Sequence, residues 1–327
     1  MLVDSQANSS GTGTTSFIVN LRSGGGRAQK MWPKVEPTLP RYVGDSCAVR
    51  YTEGPSHATE LAREEIRRGA KTVIAVGGDG TLNEVVNGFF ENGSLVNPEA
   101  ALGTICFGTG ADFIRTIEWP KDAHDALRRI AQRNVRRVDI GRAEFQDMQD
   151  RNALRYFINI ADFGMGGAVV DRVNRSSKRL GGTVSFLWGI LVTFLSYGGQ
   201  TVSYRLDGKE CGPEKIQNFI IGNGRYFGSG IKSAPLAELD DGKLDVVVIH
   251  RSSLLSMLMD FPAFQRGEHL GMKNTFFQQA QSIEAKSEEK VLIDMDGELI
   301  GRLPISVKLL PDRKRTRLNS SHVSQSR

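Results

Sequence analysis

The first half of the chain alternates short apolar runs with stretches whose apolar residues recur every three or four positions. Phe17-Ile18-Val19 leads into a loop containing Ser23-Gly24-Gly25-Gly26, and Cys47–Thr52 reads as a second strand. Ser56–Gly69 sets Ala58, Leu61, Ala62 and Ile66 on one helical face and stops at a glycine, a common helix terminator. Thr72–Val76 is apolar, β-branched and flanked by glycines, as suits a parallel strand buried on both faces. Leu82–Phe90 predicts a helix halted by Asn92-Gly93, Ala101–Phe107 a fourth strand, and Lys121–Gln132 another helix. Strand–helix alternation with short connections predicts a doubly wound α/β domain over residues 15–138.

Near Asp139 the texture changes. Strand-like runs follow one another at Val138–Phe145, Tyr156–Ile160, Thr201–Leu206, Ile216–Ile221, Leu244–Ile249, Phe276–Ala285, Val291–Met295 and Ile305–Leu310. Asp207-Gly208, Asp241-Gly242 and Asp296-Gly297 mark turns between them. Two helical stretches, Val184–Tyr197 and Leu254–Phe264, interrupt. The pattern predicts a β-rich sandwich or barrel over residues 139–302, with a strand at 303–312 returning to the first domain. Residues 313–327 are polar and structureless by pattern, read as an appended segment outside the fold.

Composition narrows the picture. A chain of 327 residues suits two domains. Lys and Arg total 42 against 37 acidic residues, but five of the basic ones lie after Asp312, leaving 37 against 37 in the body. A whole-surface nucleic-acid footprint therefore has no support. Cys47, Cys106 and Cys211 form no CxxC pair, and the five histidines are scattered. A disulfide scaffold and a cysteine zinc site are excluded, and a reducing, cytoplasmic setting is expected. The N-terminal residues lack a signal-peptide pattern. Val184–Tyr197 is apolar over 14 residues, shorter than the ~20 a membrane span needs. It reads as a buried or interfacial helix.

Candidate chemistry concentrates in glycine-rich loops. Gly77-Gly78-Asp79-Gly80-Thr81 lies between a strand and a helix, where backbone N–H groups and the helix N-terminus favour an anion. Asp79 would repel a bare phosphate, so it implies a metal ion or a proton to be removed; alone, Gly-Asp-Gly is also a common tight turn. Phe107-Gly-Thr-Gly-Ala-Asp-Phe113 follows the next strand, and Asn20–Gly26 follows the first. The three loops fall at the carboxyl edge of one sheet, the place where open α/β sheets bind ligands, and suggest a nucleotide-phosphate cradle. No Walker A pattern occurs.

The segments Gly77–Gly88, Phe107–Phe113, Asn223–Gly228, Ala237–Asp245 and Ile293–Glu298 resemble, in order, the motifs of the diacylglycerol kinase catalytic-domain family. The resemblance implies ATP-dependent phosphorylation of a lipid hydroxyl such as that of diacylglycerol. It implies nucleotide contacts from Asn20, Leu21, Arg22, Ser23, Gly24, Thr52, Gly78, Asp79, Gly80, Thr81, Leu82, Asn83, Glu84 and Thr109. It implies Glu298 as proton acceptor, with Asp296 beside it and Asp79 across the cleft. It further implies Mg²⁺ at the turn of Glu238, Asp241 and Lys243, the lysine serving through its carbonyl because an ammonium is not a metal ligand.

Two positions depart from the family pattern. Leu21 stands where proline is usual, and Ala111 where asparagine is usual. An NAD kinase shares the GGDGT motif and is the enzymatic rival; a non-catalytic lipid or nucleotide sensor is the other. Arg128, Arg129, Arg133, Arg136 and Arg137 read as a solvated face or an anionic-headgroup contact. Peripheral membrane association and a homodimer complete the expectation.

Overall fold

The computed structural model describes residues 14–175, 192–193, 197–310 and 316–319. The first unit runs β1 (Thr15–Val19), α1 (Ser23–Val35), α2 (Pro40–Val43), β2 (Cys47–Tyr51), α3 (His57–Arg67), β3 (Thr72–Gly77) and α4 (Asp79–Gly88). A short hairpin, β4 (Phe90–Glu91) and β5 (Ser94–Leu95), precedes β6 (Ala101–Cys106), α5 (Asp112–Thr116), α6 (Ala123–Ala131) and β7 (Val135–Val138). Strands β2, β1, β3 and β6 are neighbours and pair in parallel. Phe17, Ile18, Val19, Val73, Ile74, Val76, Leu102 and Ile105 are buried in one core with Trp32 and Phe89, so continuous apolar strands are sealed on both faces.

The second unit contains β8 (Gly141–Asp147), β9 (Asn152–Phe157), β10 (Ile160–Gly164), α7 (Met165–Arg175), β11 (Gln200–Leu206) and β12 (Lys209–Gly222). It continues through β13 (Leu244–His250), α8 (Leu254–Arg266), β14 (Thr275–Ala280), β15 (Ser282–Lys286), β16 (Leu292–Met295) and β17 (Glu298–Leu309). All pairs in this sheet are antiparallel, and β10 pairs with both β16 and β12. That double pairing closes β10-β16-β17-β15-β11-β12 into a ring. The ring encloses a second core built around Phe163, Phe219, Val246, Ile293 and Val307.

Three expectations need correction. Residues 303–309 do not return to the first sheet: Leu303, Ile305 and Val307 point into the second core while β17 pairs with β15 and β8. The strand that returns is β18 (Thr316–Asn319), inside the segment read as structureless. It pairs in parallel with β6 and antiparallel with β7. A strand held between two ladders satisfies its backbone whatever its side chains, so the polar pattern concealed it. The run Phe276–Ala285 is two strands, because Asp207 accepts hydrogen bonds from the N–H groups of Gln281 and Ser282, at 2.9 Å each, and turns the chain there. The Val184–Tyr197 stretch lies almost wholly outside the described residues. Among the described residues, no helix is long and apolar enough to cross a membrane.

Candidate active site

The three glycine-rich loops meet at one edge of the first sheet. Gly24, Gly25 and Gly26 hold φ of 61°, 64° and 89°, the left-handed region that glycine enters freely. A Cβ on Gly24 would sit 2.2 Å from the Phe107 carbonyl oxygen, so the first loop lies directly on the third. Asn20 fixes the first loop to the second by donating from Nδ2 to Thr81 Oγ1 at 3.0 Å. Its Oδ1 accepts from the Arg22 N–H at 3.1 Å. Gly78 opens α4 in extended geometry with no side-chain cap, which leaves the first-turn N–H groups facing the cleft.

A cavity of about 310 Å³ lies between these loops and the second unit. Gly24, Gly78, Asp79 and Thr109 line one wall; Phe227, Gly228, Asp294 and Asp296 line the other. Asp79 Oδ1 accepts from the Phe113 N–H at 3.4 Å. Burial raises the Asp79 carboxyl, against the backbone N–H groups of Phe113, Asp112 and Ala111. Asp112 is raised too, by burial and then by the charge of Asp79. It accepts from the Ser229 N–H at 2.9 Å and pairs with Arg115 at 2.8 Å.

Glu298 opens β17 just after the Asp296-Gly297 turn, whose two residues both have positive φ, 50° and 88°. A Cβ on Gly80 would lie 2.6 Å from Glu298 Oε1, so this carboxylate rests on the first turn of α4. Arg155 of β9 pairs with Glu298 Oε2 and donates from Nε to Asn83 Oδ1 at 2.7 Å. Asn83 Nδ2 donates in turn to Asp296 Oδ2 at 2.7 Å and to the Tyr156 carbonyl at 2.9 Å. Asp296 also accepts from the N–H groups of Ile158, Asn159 and Ile160, at 3.3, 3.2 and 2.9 Å. Burial pushes its carboxyl up to about 6 despite these bonds.

The expected residues separate into groups. Ser23, Gly24, Gly78, Asp79, Gly80, Thr109 and Asp296 line the cleft, with Glu298 against Gly80. Asn20, Thr81 and Asn83 hold its walls in place. Leu82 is buried and Leu21 packs against the first core. Arg22 is exposed. Thr52 follows β2, its N–H bonded to Val19 O at 2.9 Å. Glu84 caps α3, accepting from the N–H groups of Ser56 and Ala58 at 2.9 and 3.1 Å. Sequence reasoning missed Arg155, Asn159 and Ser229, which sit in ordinary strands and loops far apart in sequence, and it assigned no role to Phe227 and Asp294 although both lie in motifs it singled out. The arginine cluster is divided: Arg128 pairs with Asp125, Arg129 lies 5.8 Å over Trp119, and Arg136 and Arg137 belong to β7.

Glu238, Asp241 and Lys243 are exposed on the turn before β13, away from the cleft lining. Asp241 Oδ1 accepts from the Lys243 N–H at 3.0 Å, and the Lys243 ammonium donates to Gln279 at 3.1 Å. Asp245 Oδ2 beside them is buried with no partner among the described residues. Burial first, then the charges of Asp241 and Glu238, push its carboxyl up to about 6. This donor set fits a hard cation. Among the described residues no three acidic, histidine or cysteine side chains converge as a metal centre, so backbone carbonyls would complete such a site.

A second cavity, about 140 Å³, adjoins the cleft; Phe227 and Gly228 line both. Its walls are mostly apolar and include Val169, Ile220, Met257, Phe261 and Phe264.

Known proteins resemble this chain over most of its length. The diacylglycerol kinase catalytic domain model matches residues 14–143, and the YegS C-terminal NAD kinase beta sandwich-like domain model matches residues 159–315. A protein named "Probable lipid kinase YegS-like" from Chromohalobacter salexigens is 33% identical over 79% of this chain and 79% of its own length. A diacylglycerol kinase from Bacillus subtilis is 30% identical over 80% of this chain and 82% of its own. The crystal structure of a diacylglycerol kinase from Bacillus anthracis shares the fold, with a TM-score of 0.67 and 22% identity over 94% of this chain and 97% of that one. A yeast NADH kinase solved with NADH has a TM-score of 0.54 at 11% identity, covering 95% of this chain and 84% of its own. The chain belongs to the diacylglycerol kinase family of ATP-dependent lipid kinases.

Proposed function

We propose that the protein transfers the γ-phosphoryl group of ATP to the primary hydroxyl of a membrane lipid. The observation that carries this reading is the position of Glu298. Its carboxylate rests on the glycine turn that opens α4, while the cleft it serves shares Phe227 and Gly228 with an apolar cavity. Loop N–H groups suited to a phosphate, a carboxylate suited to act as base and an apolar pocket thus adjoin one another.

Phosphoryl transfer is mostly positioning and charge neutralisation. The lipid hydroxyl oxygen forms a bond to the γ-phosphorus, the bond from that phosphorus to the β–γ bridging oxygen breaks, and ADP leaves with the electron pair. Glu298 takes the hydroxyl proton, held at its post by Arg155. Asn83 fixes Arg155 and Asp296 together, so a single side chain of α4 registers the nucleotide wall against the base. Bound Mg²⁺ would neutralise phosphate charge; a cation at the Glu238–Lys243 turn would act structurally, with Glu238, Asp241 and backbone carbonyls as donors.

The acyl chain would occupy the apolar cavity beneath α8. That helix turns Met257, Phe261 and Phe264 inward and leaves Leu255, Leu258 and Met259 exposed at 68%, 51% and 71%. An apolar outer face roofing an apolar cavity suits peripheral contact with a bilayer. The test is transfer of label from γ-labelled ATP to dioctanoylglycerol in mixed micelles with Mg²⁺. Labelled phospholipid is expected; ATP-dependent phosphorylation of NAD with no lipid product would replace this reading by the NAD kinase one.

A further inference from the structure

Among the described residues, the apolar cavity beneath α8 and the phosphate cleft share Phe227 and Gly228 and no other lining residue. Gly228 adds no side chain, so the Phe227 ring is the one side chain that stands in both. A molecule with its chain in the cavity and its hydroxyl in the cleft must pass this ring. Phe227 begins a small hairpin. Its N–H donates to the Ile231 carbonyl at 2.9 Å, and the Ile231 N–H donates back at 3.0 Å. The turn between them, Gly228-Ser229-Gly230, runs at φ of 68°, 67° and 106°.

The hairpin is fixed from three sides. At its tip the Ser229 N–H donates to Asp112 Oδ2 of the first unit at 2.9 Å. A Cβ on Gly230 would lie 3.4 Å from the guanidinium carbon of Arg115, which pairs with Asp112, so the same ion pair rests on the turn. At its root Asn159 Nδ2 donates to the Tyr226 carbonyl at 2.9 Å, and Thr116 Oγ1 accepts from the Arg225 N–H at 3.0 Å. Behind it the Phe227 side chain packs on the cluster of Ile160, Ile220 and Val247. The ring therefore keeps its place, and the passage between cleft and cavity keeps its width.

We propose that Phe227 is a specificity-determining residue that admits a primary hydroxyl to the phosphoryl site and turns away a secondary one. The proposal rests on the lipid-kinase reading and concerns the same cleft. In a primary alcohol the carbon bearing the oxygen carries a single carbon arm. Any branch into two chains then lies at least one bond further back, on the cavity side of the ring. In a secondary alcohol two arms leave the hydroxyl carbon itself. Both must fit beside the ring while the oxygen reaches Glu298 and the glycine loops. Discrimination of this kind comes from a clash with the wrong substrate and needs no added contact with the right one. A misfit of one methylene in an apolar site changes kcat/KM by about 10–200-fold.

The experiment offers the full chain 1,2-di-O-octylglycerol, whose free hydroxyl is primary, and 1,3-di-O-octylglycerol, whose free hydroxyl is secondary, with Mg²⁺ and γ-labelled ATP in mixed micelles. The two are isomers of equal apolar content, and their ether chains do not migrate. The wild type should favour the 1,2 isomer by about tenfold to a hundredfold in kcat/KM. Phe227→Ala should bring that ratio close to one, chiefly through a gain on the 1,3 isomer, whereas Phe227→Trp should raise it. Each ratio is taken on one preparation, so a loss of folded protein cancels. Equal use of the isomers by the wild type, or an unchanged ratio in Phe227→Ala, overturns the proposal and leaves the lipid-kinase reading intact. No product from either isomer or from dioctanoylglycerol overturns both. If Phe227→Ala does not fold, Phe227→Leu takes its place: a lowered ratio supports the proposal and an unchanged one overturns it.

Discussion

Glu298 and Ala111 show how single residues carry the site. Glu298 is assigned the proton, so Glu298→Gln, which keeps the shape and loses the basicity, should lower kcat by about 10²–10⁴. Calorimetry should find ATP binding retained, since the glycine loops are untouched; near-wild-type turnover would remove Glu298 from its role. Ala111 sits at φ 55°, buried, as the residue preceding α5. A left-handed conformation costs an L-residue with a Cβ about 1–2 kcal/mol, which explains why asparagine is the usual family residue there. Ala111→Gly should therefore raise the unfolding free energy by about 1 kcal/mol in urea titration. The cradle itself was legible because glycine and asparagine announce backbone conformations. Arg155 was not, because an arginine in a half-exposed strand has no local signature.

At the level of elements, α4 and α8 divide the work. Helix α4 presents its N-terminus to the cleft and uses Asn83 and Asn87 to grip the second unit, Asn87 exchanging hydrogen bonds with the Tyr156 backbone at 2.9 Å both ways. Helix α8 faces two ways, toward the cavity and toward solvent. Leu255→Asp with Met259→Asp should cut binding to lipid vesicles by about tenfold or more, each apolar side chain being worth roughly 1.5–3 kcal/mol when buried. Turnover on a short-chain, monomeric lipid should fall far less; equal losses on both would assign α8 to the fold alone. Helix α8 was legible as the helical stretch Leu254–Phe264. Strand β18 was not, because its place is set by the vacant slot between β6 and β7 and not by its own Thr-Arg-Leu-Asn pattern.

For the whole molecule, buried carboxylates set the response to pH. Asp296 and Asp162 are pushed up to about 6 and about 7, against about 4 in the unfolded chain. Between those values the folded protein keeps protons the unfolded chain has released, so stability falls as pH rises through that window. Asp162→Asn removes one such group. The urea midpoint of the wild type should fall more steeply from about pH 4 to about pH 7 than that of the variant; parallel curves would count against burial as the cause. The two-domain plan, the ring of antiparallel strands and the meeting of three loops follow from patterning. The pairing of Asp162 with Asp294 does not, because register between distant strands is settled by packing.

The anchoring of Asp296 has a kinetic consequence. One carboxylate holds Asn83 from the first unit and three consecutive amides from the second. The two units are riveted at the cleft wall, so a hinge there would have to expose a buried carboxylate. The floor stays shut, and on the proposed reading each substrate would have its own door, the nucleotide past the glycine loops and the lipid beneath α8. Neither needs the other to create its seat. Initial-rate plots should therefore intersect with random order of addition, and a compulsory order would show that the seam opens after all.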